Sequence, residues 1–513
     1  MAARSPRHQR ARPLAGLGGT GGASFVNIVL IVIDTLRFDH LGANGNQEVQ
    51  TPNLDRLAAR SWNFRRAFAG SFPTIPLRTD LITGRYGAPF HPWKPLDCDR
   101  PTLPRALAEH GYCTQLIHDT PHLVNGGHGF DFPFHAWTQV RGAEVDRAWI
   151  TDDWSYLPNW RLDPMFDPLP RDDERVLRRG WNPGAGYVPT NRGRVREEDW
   201  NVARLFTTAS RFLRDNASRD RFFLWVDCFD PHEPWDSPPE YVRLYDRTPG
   251  YDGMLDPRSF SGGRNRPDLS PRALLNLRAQ YAAKVTFMDR WLGTFLDTLE
   301  QTGLAERTAV VLLGDHGTNV GDRPDSPFGK AAPPLENEAH VPLLVHVPGA
   351  GSGTSSALVQ SQDIFATLLG LAGGQAPQDL ESHDLLATAR EDHAKREIAL
   401  CGTAVSTWKQ RAGGILFSAF DREWALAVAA DPGRCALRRL GEKVDVAADH
   451  PETVVRLHRA AVDEIVRRGL DPSLTAWLRS EGRDAFPAAY RVTDAHPAPA
   501  GWRTYFGGLY HGE

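Results

Sequence analysis

Cysteine is scarce, with five in 513 residues at positions 98, 113, 228, 401 and 435. A set that is odd in number and widely spaced excludes a disulfide framework and supplies no CxxC clip for a structural metal. A reducing, cytoplasmic setting is therefore expected. Apolar runs of membrane-spanning length are missing too. The run from Phe25 to Ile33 has about half the ~20 residues a spanning helix needs and leads into Asp34, so it reads as a buried strand and no membrane partner is expected. The first residues scatter Arg4, Arg7, Arg10 and Arg12 among glycines, without an apolar signal core or a twin-arginine pair, and residues 1–24 are expected to be a disordered tail. Excess positive charge is also lacking. The 59 Lys and Arg against 63 Asp and Glu leave a formal charge of −4, which offers no basic field for nucleic acid. No internal repeat is visible.

What is present suits a large core: 41% of residues are hydrophobic and 10% aromatic, and the length alone would allow about three domains. Short β-branched runs alternate with helical stretches. Residues 26–33 read as a strand, 54–64 as a helix, 103–109 as a helix and 113–118 as a strand. Further on, 222–227, 308–313 and 341–347 read as strands, and about 271–301 and 362–372 as helices. This order predicts an α/β fold with a mostly parallel central sheet buried on both faces by helices. Beyond residue 375 the composition changes, with strands at 414–420 and 424–429 and a helix near 452–468, as expected of a small antiparallel α+β subdomain over 376–513. Residues 149–200, rich in proline and tryptophan, read as a long excursion near the site entrance.

Chemistry collects where the expected strands end, the edge at which open α/β sheets build their sites. Asp34 directly follows an apolar strand, as a metal ligand or a helix N-cap would. Asp315 and His316, flanked by Gly314 and Gly317, end a second apolar strand and can face one ion, the nitrogen admitting Mn²⁺ or Zn²⁺ beside Ca²⁺ or Mg²⁺. His232 follows Asp230-Pro231 in a proline-locked turn, where an imidazole can exchange a proton at neutral pH or simply cap the turn. Thr74 lies in Phe72-Pro73-Thr74-Ile75-Pro76-Leu77-Arg78, a hydroxyl between two prolines, with Arg78 one helical turn on and Thr83-Gly84 ending the segment.

These segments resemble the sulfatase family, part of the alkaline phosphatase superfamily. That family carries Cys-x-Pro-Ser-Arg ending in Leu-Thr-Gly-Arg, with the cysteine converted to formylglycine. Here Thr74 stands at the cysteine's place and Leu77 at the serine's, so no formylglycine is expected. Several phosphate-cleaving relatives use a threonine hydroxyl at this place. The resemblance, which covers about residues 27–372, implies one divalent ion held by Asp34, Asp315, His316 and Thr74. It also implies a proton donor in His232 and an anion-facing Lys330 in Phe328-Gly329-Lys330. Where the family has a second aspartate after the first, this chain has Thr35. Its usual Gly-Lys-Trp-His is replaced by Ile117-His118-Asp119-Thr120-Pro121-His122, which keeps only His122. Asp119 would repel a dianion unless paired with His122 or an arginine, which favours a singly charged diester. Asp230 would orient His232 or bind a second metal, and Arg141 and Glu144 read as a structural pair.

The expected activity is metal-dependent hydrolysis of a small anionic ester, with Thr74 as nucleophile, and Arg78, Lys330 and His122 around the anion. Phosphate esters, diesters and phosphonates rank ahead of sulfate esters. A phosphotransferase or mutase and a catalytically silent anion-binding relative remain alternatives.

Overall fold

The computed structural model describes residues 26–468 apart from 89–92, 98, 126, 145, 147–186, 188–189, 250–270, 324–327, 332, 404–416, 429–432 and 434. The tail at 1–24, most of the excursion at 149–200 and the chain after 471 lie outside the described residues.

In chain order the strands are β1 (Asn27–Ile33), β2 (Trp62–Phe68), β3 (Ser71–Phe72), β4 (Cys113–His118), β5 (Ala136–Gln139), β6 (Phe222–Cys228), β7 (Thr308–Gly314), the short pair β8 (Asn319–Val320) and β9 (Phe328–Gly329), β10 (Leu343–His346), β11 (Gly353–Gln360), β12 (Ala399–Thr403), β13 (Phe417–Phe420), β14 (Trp424–Val428) and β15 (Ala436–Arg439). Eight of them form the central sheet in the order β11-β2-β10-β7-β1-β6-β4-β5, parallel throughout except for β10, which runs antiparallel to both neighbours. The buried strands explain the order. In β1, Ile28, Leu30 and Val32 point into one core while Val29, Ile31 and Ile33 point into the other, so the strand can only sit between two helix layers. The helices Asn201–Asp215 and Pro271–Gln301 cover the second face, joined by α1 (Pro52–Ala59). The first face is covered by α2 (Thr74–Thr83) and the helices Leu103–Glu109, Asp363–Leu371 and Leu385–Glu391.

The helix expected over 54–64 is shorter than its sequence suggested. It ends at Ala59, and Trp62–Phe68 becomes β2, because pairing with β10 on one side and β11 on the other satisfies the backbone of that stretch. A second sheet has the order β15-β14-β13-β12-β3 and is antiparallel except for β12 against β3. The helix Pro451–Arg467 packs on it through Leu457, Ala461 and Ile465. Since β3 lies two residues before Thr74, the small sheet is stitched directly to the segment that carries the hydroxyl. Among the described residues no helix is long and apolar enough to cross a membrane.

Candidate active site

Register decides the site. β1 pairs Ile33 with Cys228 of β6 and with Gly314 of β7, so Asp34 and Asp315 emerge at one level of the sheet's carboxyl edge, with Asp227, paired to Val32, two positions below them. The backbone continues the ladder past the strand ends, with Asp34 N–H donating to the Cys228 carbonyl at 2.8 Å and Asp315 N–H to that of Ile33 at 3.0 Å. Thr35 then turns in the left-handed region at φ 63°, a conformation that costs a β-branched residue about 1–2 kcal/mol. That turn aims two carboxylates: the Thr35 N–H donates to Asp315 Oδ1 and its hydroxyl to Asp34 Oδ1, each at 2.7 Å. The Tyr281 hydroxyl donates to the Thr35 carbonyl at 2.7 Å and locks the turn.

Ligand atoms of Asp34, Asp315 and His316 lie within 4.8 Å of one another, all three side chains being fully buried. Asp34 Oδ2 is a buried oxygen with no hydrogen-bond partner, its one ion-pair partner among the described residues being Arg78 Nη1 at 3.2 Å. His316 donates Nδ1–H to the Gly317 carbonyl at 3.0 Å, which leaves the lone pair of Nε2 facing the carboxylates. Burial and the neighbouring Asp315 raise the Asp34 pKa to about 7, against the pull of Arg78. Burial lowers that of His316 to about 3, against the pull of Asp34. Two hard oxygen ligands with one imidazole fit a small divalent cation, and Ca²⁺, Mg²⁺, Mn²⁺ and Zn²⁺ all accept such a set.

Thr74 opens α2, whose residues are buried along its whole length and which Gly84 ends at φ 69°. A Cβ at Gly84 would come within 2.9 Å of the Phe365 ring, so the turn admits only glycine at low cost. Thr74 Oγ1 lies 3.5 Å from His316 Nε2 and is 2% exposed. Behind it, Asp80 anchors the helix: Oδ1 accepts from Ser71 Oγ and Gly87 N–H, each at 2.6 Å, and Oδ2 from Ser361 Oγ at 2.8 Å. Arg78 is turned into the acids. Its guanidinium bonds Asp315 Oδ2, lies 3.2 Å from Asp34 Oδ2, and grips Asp227 with Nε at 3.1 Å and Nη2 at 2.9 Å.

His232 and Lys330 form the opposite wall. The His232 ring donates Nδ1–H to the Glu233 carbonyl at 2.7 Å, and its Nε2 accepts from Lys330 Nζ at 3.0 Å. Lys330 also donates to Glu233 Oε2 at 2.8 Å. Burial, reinforced by Lys330, holds the imidazole well below its ordinary pKa. Phe229 stacks on His232 with centroids 4.1 Å apart and meets His122 edge-on at 5.8 Å. Burial and the nearby His128 likewise depress His122.

Four readings change. Arg78 does not line the anion, because its guanidinium is committed to Asp34, Asp227 and Asp315. Asp119 pairs with neither His122 nor an arginine. It accepts the Phe229 N–H at 2.6 Å, and burial beside Asp230 lifts its carboxyl well above the usual range, which disfavours the charge that would repel a dianion. Asp230 does not orient His232; it sits 3.1 Å from Lys284. Arg141 pairs with Asp146 at 2.5 Å, and Glu144 turns instead to His232, with Oε2 3.5 Å from Nδ1. The sequence also left Asp227 and Glu233 without roles. An acid at the end of the otherwise apolar Phe-Phe-Leu-Trp-Val-Asp-Cys strand was the one signal that pointed to Asp227.

Comparison with known proteins agrees with this architecture. The structure of a phosphonate monoester hydrolase from Silicibacter pomeroyi superposes with a TM-score of 0.66 at 24% identity, covering 86% of this chain and 96% of that one, and so shares the fold. An arylsulfatase of Clostridium perfringens is 27% identical over 390 residues, 70% of this chain and 77% of its own length. Mouse iduronate 2-sulfatase is 25% identical over 421 residues, 70% of this chain and 71% of its own length. The family profile described as Sulfatase matches residues 26–374. The chain belongs to the sulfatase family of ester-bond hydrolases.

Proposed function

We propose that the chain is a metal-dependent hydrolase of small anionic esters in which Thr74 is the nucleophile in place of formylglycine. The observation that carries this reading is the position of Thr74 Oγ1, at the first residue of a buried helix and 3.5 Å from His316 Nε2 in the Asp34–Asp315–His316 cluster. A divalent ion held by those three residues would supply Lewis-acid charge beside the hydroxyl. Thr74 gives its hydroxyl proton up to solvent, Oγ1 then attacks phosphorus in line as the bond to the leaving oxygen breaks, and the positive end of α2 stabilises the anionic oxygens it meets. Arg78 holds Asp34, Asp227 and Asp315 in place, and Lys330 offsets charge beside His232, which gives a proton to the departing oxygen. Water then releases the phospho-threonine in a second displacement.

Phosphate esters, diesters and phosphonates rank first, because a sulfo-threonine has no hemiacetal hydroxyl with which to expel sulfate. Sulfate ester hydrolysis is the second reading, favoured by the arylsulfatase and iduronate 2-sulfatase among its relatives. The reading includes a reducing, cytoplasmic setting, in keeping with Cys113, Cys228, Cys401 and Cys435, which are free thiols.

The test is turnover of nitrophenyl sulfate, phosphate, phosphodiester and phosphonate by purified protein, after chelation and after adding back each of the four cations. Metal-restored hydrolysis of a phosphorus ester is the expected outcome. Turnover of sulfate alone would replace it with the sulfatase reading, and no turnover of any ester would favour a transferase or a silent anion-binding relative.

A further inference from the structure

The loop after β5 brings in an acid that the scheme above does not use. Residues 141–144 and Asp146 are held from several directions. Asp146 accepts from Arg141 Nε and from the Gly142 N–H, each at 2.7 Å. Asn191 donates to the Gly142 carbonyl at 2.8 Å and Asn201 to the Arg141 carbonyl at 3.2 Å. Gly142 adopts φ 120°, and a Cβ there would come within 2.7 Å of Asn191 Oδ1. None of these bonds involves Glu144. Its side chain is 3% exposed, and its one ionic partner among the described residues is His232, 88 positions along the chain.

Burying a carboxyl without a bond that holds the turn destabilises the fold unless the group does something else. Here burial, then the charge of Glu233, raises the Glu144 pKa to about 8, while burial and Lys330 hold that of His232 well below its ordinary value. Glu233 and Asp34 disfavour ionisation of Glu144, whereas Lys330 and Lys284 favour it. On the other partner, Lys330, His122 and His316 all oppose a charged ring. An imidazolium formed at that place faces two carboxyls, Glu233 Oε2 at 3.3 Å and Glu144 Oε2 at 3.5 Å from Nδ1, and Glu233 already accepts from Lys330 at 2.8 Å.

We propose that Glu144 is a positioning residue of the active site, acting through His232 by balancing the imidazolium that protonates the leaving group. The inference rests on the ester-hydrolase reading. His232 takes up one proton at Nε2 as the Glu144 carboxyl gives one up, and Nε2 passes it to the leaving oxygen as that oxygen departs with the electron pair of its bond to phosphorus. The carboxylate left behind stands 3.5 Å from Nδ1 and stabilises the cation while it exists. In the second displacement the attacking water returns a proton along the same route, and the pair is restored.

The test compares Glu144→Gln with wild type on two esters of one acid, a nitrophenyl ester whose leaving group needs no proton and an alkyl ester whose leaving group does. The ratio of alkyl to nitrophenyl turnover should fall about 100-fold in Glu144→Gln, recover in part in Glu144→Asp, and fall no further when Glu144→Gln is added to His232→Ala. An equal loss on both esters would mark Glu144 as structural and overturn the proposal. If wild type turns over neither ester, the hydrolase reading fails. In that case this inference falls with it, whereas an equal loss on both esters in an active enzyme refutes the inference alone.

Discussion

Arg78 binds Asp227 in the two-pronged geometry of a guanidinium on a carboxylate, with Nε to Oδ2 at 3.1 Å and Nη2 to Oδ1 at 2.9 Å, both side chains fully buried. Thr120 Oγ1 and Trp225 Nε1 donate to the same carboxylate at 2.5 and 3.1 Å, so Asp227 fixes the arginine that spans Asp34 and Asp315. Breaking a buried pair by removing one partner is far more costly than either charge alone suggests. Arg78→Ala should therefore lose about 3–5 kcal/mol of stability in chemical denaturation. Arg78→Lys should recover only part of it, because an ammonium cannot make the fork.

Metal binding is expected to stabilise the fold as well as the reaction. A cation at 100 times its Kd adds about 2.7 kcal/mol, so the melting temperature should rise on adding Mn²⁺, Zn²⁺, Ca²⁺ or Mg²⁺ to chelated protein. Asp315→Asn should abolish that rise, measured by scanning calorimetry.

Asp80 holds α2 from behind, and burial raises its carboxyl to about 7 against the pull of Ser71 and Gly87. A raised folded-state pKa means that the stability it contributes is complete below its unfolded value and is lost as pH rises through about 7. Wild type should therefore lose stability relative to Asp80→Asn between about pH 4 and pH 7, with the difference level above that window. Urea denaturation across this range checks the sign.

Lys330 opposes a charged His232 across 3.0 Å. Replacing it with the uncharged, similarly long methionine should raise the His232 pKa, read by imidazole NMR titration, and should slow esters with poor leaving groups more than nitrophenyl esters.

Much of this site is legible in the sequence because its parts sit at strand ends. Asp34 follows six buried apolar residues, Ile28 to Ile33, and Asp315-His316 follows β7, so periodicity alone places them at the sheet's carboxyl edge. Gly84 marks the end of the helix that Thr74 begins, and the helix Pro271–Gln301 has the bounds its pattern suggests. The partners of these residues were not legible. Asp227 meets Arg78 across 149 positions and Glu144 meets His232 across 88, contacts set by sheet order, which no local pattern encodes. Arg141 and Glu144 looked like a pair because they are neighbours in sequence, yet the turn that Gly142 allows sends them to opposite partners. Asp119 looked charged because exposed aspartates are, and its burial against the Phe229 N–H is a tertiary fact.

The central claim is that Thr74 Oγ1 is the attacking atom, and the most direct measurement is the metal-dependent turnover of the best ester by Thr74→Ala beside Thr74→Ser. The account predicts loss of at least about 1000-fold in the alanine variant and partial retention in the serine variant, with both folded and both still stabilised by the cation. Turnover by Thr74→Ala within about tenfold of wild type would contradict it, since water would then be attacking the ester without the hydroxyl.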